Sequence, residues 1–125
     1  MRVAVVGPCG SGKSTIVAAL RERGYDAYAV SQEHSIVRDL WRHQDPDALV
    51  FLDSDFETIE RRRGAGRARW LYELQQERLR DARANALLIV DTGALSIRDT
   101  VDSIVAAIRG HDRRRSDTGM AGADC

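Results

Sequence analysis

Lysine is almost absent from this 125-residue chain: it occurs once, at position 13, and all the other basic residues are arginine. Acidic and basic residues balance at 19 each, so the formal net charge is zero. A neutral chain has no overall electrostatic attraction to nucleic acid, membranes or acidic partners. We therefore expect neither nucleic acid nor a membrane as partner, and the position of the one lysine becomes informative.

Cysteine and long apolar runs are also scarce. Cys9 and Cys125 are too few and too far apart for a disulfide framework, and His34, His43 and His111 form no metal-ligand spacing with them. No apolar run approaches the roughly 20 residues of a membrane helix. The N-terminus, MRVAVVG, has too short an apolar stretch for a secretory signal. These absences predict a cytoplasmic protein.

What the chain does contain is an alternation of apolar strands and amphipathic helices. Strands are predicted over 3–6, 25–30, 48–52 and 87–90, and helices over 14–23, 32–44, 54–64, 70–84 and 96–109. This alternation predicts an α/β fold of three layers, a mostly parallel sheet of about four strands between helices. From Gly110 onward the sequence has little to bury, so we expect a domain over 1–109 and a disordered tail over 110–125.

Four of the predicted helices depend on specific residues. The helix over 32–44 would place four apolar side chains on one face, and Ser54 with Glu57 has capping-box spacing for the next. The helix over 70–84 would turn four apolar side chains inward, and the last helix carries an apolar stripe. The residues of these faces are Ile36, Val37, Leu40 and Trp41; Leu71, Leu74, Leu79 and Ala82; and Ile97, Val101, Ile104, Val105 and Ile108.

The lysine falls in GPCGSGKST, residues 7–15, which fits the spacing G-x-x-x-x-G-K-[ST] between a predicted strand and a predicted helix. Glycines in such a loop let backbone N–H groups surround phosphates at a helix N-terminus. The predicted nucleotide-binding residues are Gly7, Gly10, Ser11, Gly12, Lys13, Ser14 and Thr15. Lys13 would reach the outer phosphates and Ser14 would hold Mg²⁺. The alternative is a glycine-rich turn that holds a lysine by accident.

Other P-loop classes lack their signals here. A GTPase reads guanine with N-K-x-D, and the only lysine already lies in the loop. No LSGGQ-like stretch indicates a transporter ATPase. The third and fourth strands end in LDSD and VDT rather than in the Asp-Glu pair of an AAA-type ATPase, which argues against that class.

The chain resembles the small-molecule P-loop kinases, the group of nucleoside, nucleoside monophosphate and shikimate kinases. Three stretches carry the resemblance: GPCGSGKST, LVFLDSDFETIERRRG and LLIVDTGALSIRDTVDSIVAAI, which together with the helix between them cover residues 1–109. Those kinases have five core strands and an acceptor-binding insertion, whereas the region from Tyr25 to Pro46 is compressed here. The acceptor site is therefore absent or completed by a second subunit in a homo-oligomer.

Glu33 is the candidate catalytic base. Its stretch, SQEHS, follows the second strand and resembles the Glu-Arg-Ser element of deoxynucleoside kinases, with His34 at the position of the arginine. The resemblance implies that Glu33 acts as base toward the acceptor hydroxyl. From chemistry alone, a carboxylate there would also position Mg²⁺ through water. The plainer alternative is that Glu33 begins the next helix, where acids are favoured.

Two further groups follow the third strand. Asp53 is the best of three acids (Asp53, Asp55 and Asp91) for holding Mg²⁺ indirectly, although helix capping also accounts for it. The segment from Arg61 to Arg69 holds five arginines and no acid, at the place where the kinase group keeps its lid. Arg67 and Arg69 are the predicted catalytic arginines, since forked guanidinium groups match a transferring phosphoryl group. The alternative is a solvated basic loop or a nucleic-acid patch.

The sequence thus predicts ATP- and Mg²⁺-dependent phosphoryl transfer to a small molecule such as a nucleoside or nucleotide. The rival interpretation is a nucleotide-binding switch or regulatory module with little or no turnover, which the compressed acceptor region favours.

Overall fold

Four short parallel strands form the central sheet in the computed structural model. The structure describes residues 1–64 and 66–123, with side chains through residue 113. The strands are β1 (Arg2–Val6), β2 (Asp26–Ala29), β3 (Ala48–Asp53) and β4 (Leu88–Asp91), in the order β2-β1-β3-β4. Every neighbouring pair is parallel. The two central strands are apolar on both faces, as expected for a sheet covered on both sides.

Helices cover both faces of this sheet. They are α1 (Lys13–Glu22), α2 (Phe56–Arg63), α3 (Arg69–Arg78), α4 (Arg80–Asn85) and α5 (Ile97–Ala123). One core lies between the sheet and α1 with α5, where Leu20 and Ile104 are fully buried. A second core lies on the other face, where Leu79 and Ala82 pack with Phe51 and Trp41. The predicted α/β fold with helices on both sides of a four-stranded parallel sheet is confirmed.

The predicted helix over 32–44 is wrong. That region forms two 3₁₀ turns, Gln32–His34 and Leu40–Arg42, joined by extended chain. The fully buried Gln32 side chain donates to the Val37 carbonyl oxygen (2.7 Å) and accepts from the Trp41 backbone N–H (3.0 Å). These bonds satisfy the backbone without a helix, and they leave Ile36 84% exposed.

Two other helix predictions need correction. The capping residue of α2 is Asp55, whose Oδ1 accepts from the Thr58 N–H (2.7 Å), rather than Ser54. Hydrogen bonding from the Thr58 side chain, and then from its backbone N–H, lowers the pKa of Asp55. The helix predicted over 70–84 breaks at Leu79 into α3 and α4. Leu71 and Leu74 on its first half are 39% and 38% exposed, so only its second half is fully inward.

The last helix begins as predicted but continues further. Ser96 Oγ accepts from the Asp99 N–H (3.0 Å), and the stripe from Val101 to Ile108 is buried, although Ile97 is exposed. α5 runs on to Ala123, past the predicted end at residue 109. The domain boundary at residue 109 and the disordered tail over 110–125 stay predictions, and residues 124–125 lie outside the described chain. In the described part, no helix is long and apolar enough to span a membrane.

Candidate nucleotide-binding site

The loop between β1 and α1 has a backbone that its glycines make possible. Gly12 is the N-cap of α1 and has a φ of +96°, in the left-handed region that favours glycine. A Cβ on Gly7 would lie 2.5 Å from the Leu52 carbonyl oxygen of β3, so only glycine fits there. The sequence pattern therefore produces a tight turn that passes directly over the end of the neighbouring strand.

The loop presents backbone donors at its outer edge. The first N–H groups of a helix have no intrahelical acceptor, and Gly12 offers no capping side chain to the start of α1. Ser14 and Thr15, in this first turn, are exposed. The positive end of the helix dipole adds to these donors, so an anion is favoured at this point.

Lys13 folds back over the loop. Its ammonium donates to the carbonyl oxygens of Gly7 (2.8 Å) and Pro8 (3.3 Å) and forms a close ion pair with Glu33 Oε2. The side chain of Lys13 is 13% exposed and that of Glu33 3%. The structure thus brings together the predicted phosphate-binding lysine and the predicted base, which lie 20 residues apart in the chain.

Glu33 is held in a buried position by its surroundings. It lies in the 3₁₀ turn Gln32–His34, which begins three residues after the end of β2. The neighbour of β2 in the sheet is β1, the strand that leads into the loop. Its Oε1 is buried without a hydrogen-bond partner. His34 Nε2 lies 3.9 Å from Oε2 but its side chain is 58% exposed, and Arg78 donates to the Glu33 carbonyl oxygen (3.4 Å). One carboxylate oxygen is therefore available to a further donor.

The predicted metal ligand Asp53 is engaged elsewhere. Its carboxylate pairs with Arg83 of α4 at 3.3 Å and is one-third exposed. Asp91 Oδ1 accepts from the Gly93 N–H (2.9 Å) in the turn after β4. No group of three or more His, Cys, Asp or Glu side chains capable of holding a metal occurs within the described residues. Ser14 fits Mg²⁺ nevertheless, since Mg²⁺ on a nucleotide needs few protein ligands besides phosphate oxygens.

The arginines of the predicted lid lie in different places. Arg67 lines a small cavity of about 30 Å³ together with Cys9 of the loop. Arg69 donates to Glu57 Oε1 (2.9 Å) and lies over the Phe56 ring, 4.9 Å from its centroid. Arg63, which is not among the predicted catalytic arginines, lies against the loop: a Cβ on Gly10 would be 3.5 Å from its Nε. Its place at the C-terminal end of α2 follows from the length of that helix.

A cavity of about 330 Å³ opens beside the loop, large enough for part of a nucleotide. Its walls include Gly10 and Thr15 of the loop side, Arg62 and Arg63 of α2, and Thr92 and Leu95 after β4. Arg62 donates to the Thr92 carbonyl oxygen in a short hydrogen bond, which ties α2 to the turn after β4. The cavity therefore joins a phosphate-binding edge to a partly apolar wall.

Polar residues in and around the loop make tertiary contacts that the sequence does not indicate. Gln75 of α3, 4% exposed, accepts from the Cys9 backbone N–H (3.1 Å). Tyr72 donates its hydroxyl to the Ser54 carbonyl oxygen (2.7 Å), and burial raises the pKa of that hydroxyl. Ser54 and Thr92 share a buried hydroxyl contact across the ends of β3 and β4. No local pattern signals these contacts, because each partner lies far away in the sequence.

Comparison with known proteins bears on the fold and the family of the chain. No curated protein sequence matches the chain. Among solved structures, shikimate kinase from Aquifex aeolicus vf5 superposes with a TM-score of 0.63 over 90% of this chain and 98% of that one, at 16% sequence identity. At that identity the likeness shows a shared fold.

A family model described as an AAA domain matches residues 2–98. The expectation that strand ends without an Asp-Glu pair exclude such a family is therefore wrong, because the match extends over both strands concerned. The predicted P-loop and the likeness to a small-molecule P-loop kinase fold are confirmed. Since the model spans most of the sequence, from β1 to the start of α5, the chain belongs to the AAA domain family of P-loop NTPases.

Proposed function

We propose that this protein is an ATP- and Mg²⁺-dependent kinase that transfers a phosphoryl group to a small-molecule acceptor. The observation that carries the proposal is the contact between Lys13 and Glu33, with Glu33 Oε1 buried and unpartnered. A phosphate-binding cation and a carboxylate able to take a proton meet at one point, as phosphoryl transfer to a hydroxyl requires.

Donor binding falls to the loop and the start of α1. Backbone N–H groups of the first turn and the Lys13 ammonium receive the phosphates, and the Ser14 hydroxyl would hold Mg²⁺. Bound Mg²⁺ neutralises charge on the phosphate oxygens. Asp53 forms an ion pair with Arg83, and it would position the metal indirectly only after that ion pair opens. Thr15 contributes a second hydroxyl group, which lies in the wall of the cavity.

The turn after β4 supports ATP as the donor. Its backbone N–H groups are already used: Thr92 donates to Asp53 O (2.9 Å), Gly93 to Asp91 Oδ1 (2.9 Å), and Ala94 and Leu95 to Asp91 O (3.3 Å each). The backbone N–H groups of these four residues are therefore not free to bind the ring carbonyl oxygen of a guanine base in the 330 Å³ cavity. The amino group of adenine is a donor, whereas guanine presents a carbonyl oxygen at the same ring position.

Transfer itself needs a base and charge stabilisation. Glu33 accepts the proton of the acceptor hydroxyl, the acceptor oxygen forms a bond to the γ-phosphorus, and the bond from that phosphorus to the bridging oxygen of ADP breaks. Lys13 and the arginines beside the loop stabilise the charge on the transferring group. Arg63 lies against Gly10, and Arg67 lines a small cavity together with Cys9.

Arg67→Ala is expected to lower turnover by about tenfold or more while changing Mg-ATP affinity only a few-fold, because charge on the transferring group builds up during reaction. Arg69→Ala should have a smaller effect, since Glu57 and the Phe56 ring hold that side chain. Steady-state kinetics at saturating acceptor give both values. Arg80→Ala, on the exposed face of α4, is the matched control. Equal losses for Arg67→Ala and the control would remove Arg67 from the mechanism.

The rival function is a nucleotide-binding switch with little turnover. It is favoured by the segment between β2 and β3, which contains two 3₁₀ turns where the kinase group has an acceptor-binding insertion. Incubation of the purified protein with ATP, Mg²⁺ and a mixed metabolite pool, followed by mass spectrometry, separates the two. The kinase predicts a phosphorylated small molecule, sought first among nucleosides and nucleotides, and the switch predicts none.

A further inference from the structure

The ammonium group of Lys13 has no donor left for a phosphate. It carries three N–H donors, and three acceptors surround it: the carbonyl oxygens of Gly7 and Pro8 and the carboxylate of Glu33. Because the side chain is only 13% exposed, water competes weakly for these contacts. A nucleotide must therefore displace one of the three acceptors before Lys13 can bind its phosphates.

We propose that Glu33 is an internal competitor for the phosphate: it binds Lys13 in the nucleotide-free protein and is displaced when phosphates enter. This contact is called the Lys13–Glu33 latch. Its consequence for catalysis rests on the proposed function, whereas the latch itself needs only phosphate binding by the loop.

Charge selects Glu33 as the displaced group. The two carbonyl oxygens are neutral and belong to the loop that would hold the phosphates. Glu33 is anionic and buried, so a phosphate that entered beside an intact ion pair would place two like charges around one cation. Other charged groups around Glu33 do not replace Lys13: His34 is 3.9 Å from Oε2 and mostly exposed, and Arg78 contacts the Glu33 backbone only.

The release requires a change of side chain rather than of backbone. The preceding residue, Gln32, is fully buried, and its side chain forms hydrogen bonds with the backbone of Val37 and Trp41. These bonds hold the backbone of the turn that contains Glu33 in place. A rotation of the Glu33 side chain is the smaller movement. It frees the carboxylate for the proton of an acceptor, so nucleotide binding precedes and enables the use of Glu33 as base.

The test measures phosphate binding in the absence of a nucleobase and of a phosphoryl acceptor. Inorganic tripolyphosphate with Mg²⁺ is titrated into the full chain by calorimetry, for wild type, Glu33→Gln and Glu33→Asp. Glu33→Asp keeps the negative charge but shortens the side chain by one methylene, which weakens its contact with Lys13. The latch predicts that both variants bind tripolyphosphate about tenfold more tightly, the effect of one charge-assisted hydrogen bond on an equilibrium.

Glu22→Gln, an exposed glutamate on α1, is the control and should bind like wild type. A gain for Glu33→Gln alone would overturn the latch, because it would show general charge repulsion. Unchanged or weaker binding in both variants would overturn it as well. Thermal melts verify that each variant is folded. The readout does not depend on turnover, so a failure of the kinase proposal appears only in the acceptor assay and is distinguishable from a failure of the latch.

Discussion

Replacing Lys13 by alanine lowers the affinity for Mg-ATP by about tenfold or more, since a charged contact to phosphate in a partly buried site contributes roughly 1.5–3 kcal/mol. Lys13 is the only lysine of the chain and lies at the loop itself, so no neighbouring lysine compensates. Calorimetry with Mg-ATP below the melting transition gives the dissociation constants. Arg23→Ala, which removes an exposed cation just after α1 that pairs with Asp102, is the matched control and should leave the affinity unchanged.

The same substitution lowers the free energy of unfolding. It leaves the Glu33 carboxylate, 3% exposed, without its cation, and breaking one side of a buried ion pair costs about 3–5 kcal/mol. Adding Glu33→Gln removes the stranded charge, so the double variant should recover much of the loss in a urea titration. Wild-type stability in Lys13→Ala, or unchanged Mg-ATP affinity, would contradict the site described above.

Glu33→Gln has the second large effect, on turnover. The amide keeps the shape of the side chain but removes its charge and most of its basicity, so the rate of phosphoryl transfer should fall on the order of 100-fold or more. Mg-ATP binding should not weaken, because Glu33 competes with the phosphates for Lys13. The change therefore separates a group used in the reaction from a group used in binding.

A matched comparison comes from the next residue. His34→Ala removes an exposed side chain 3.9 Å from the Glu33 carboxylate, and turnover should change only a few-fold. A switch module predicts a different pair of results: little turnover to lose in either variant, and residual ATP hydrolysis that Glu33→Gln leaves unchanged.

The features that sequence predicts well here are those set by neighbouring residues. The central strands are continuous apolar runs, and the loop between β1 and α1 has fixed glycine spacing with a helix directly after it. The apolar stripe of α5 from Val101 to Ile108 is likewise a local pattern. In each case the secondary-structure propensity, the hydrophobic pattern and the core packing favour the same structure, so no distant contact is needed to predict it.

The features that it misses depend on distant partners. Apolar residues at 36, 37, 40 and 41 have helical spacing, but the buried Gln32 side chain takes over the backbone bonds of that segment. That Asp53 holds Mg²⁺ stays a prediction, and its contact with Arg83, 30 residues later, is one that the sequence does not indicate. Arg63, rather than Arg69, lies against the loop because of where α2 ends. Such pairings arise only when the chain has folded.

The sequence predicts where Glu33 lies in the fold, but it does not predict the ion pair with Lys13. A residue directly after β2 lies at the carboxyl edge of the sheet, where ligands bind in this kind of fold. That its carboxylate reaches Lys13 follows from the adjacency of β1 and β2 in the sheet order, which the sequence alone did not establish.

The central claim is that the protein moves a phosphoryl group, and one measurement tests it most directly. Wild type and Glu33→Gln are each incubated with candidate acceptors, nucleosides and nucleotides first, and with Mg-ATP that carries ¹⁸O in its γ-phosphoryl group. The fate of the ¹⁸O label is followed by mass spectrometry. The account predicts label on a phosphorylated acceptor with wild type, formed on the order of 100-fold more slowly by the variant. Label that appears only in inorganic phosphate, at the same rate for both proteins, would contradict it.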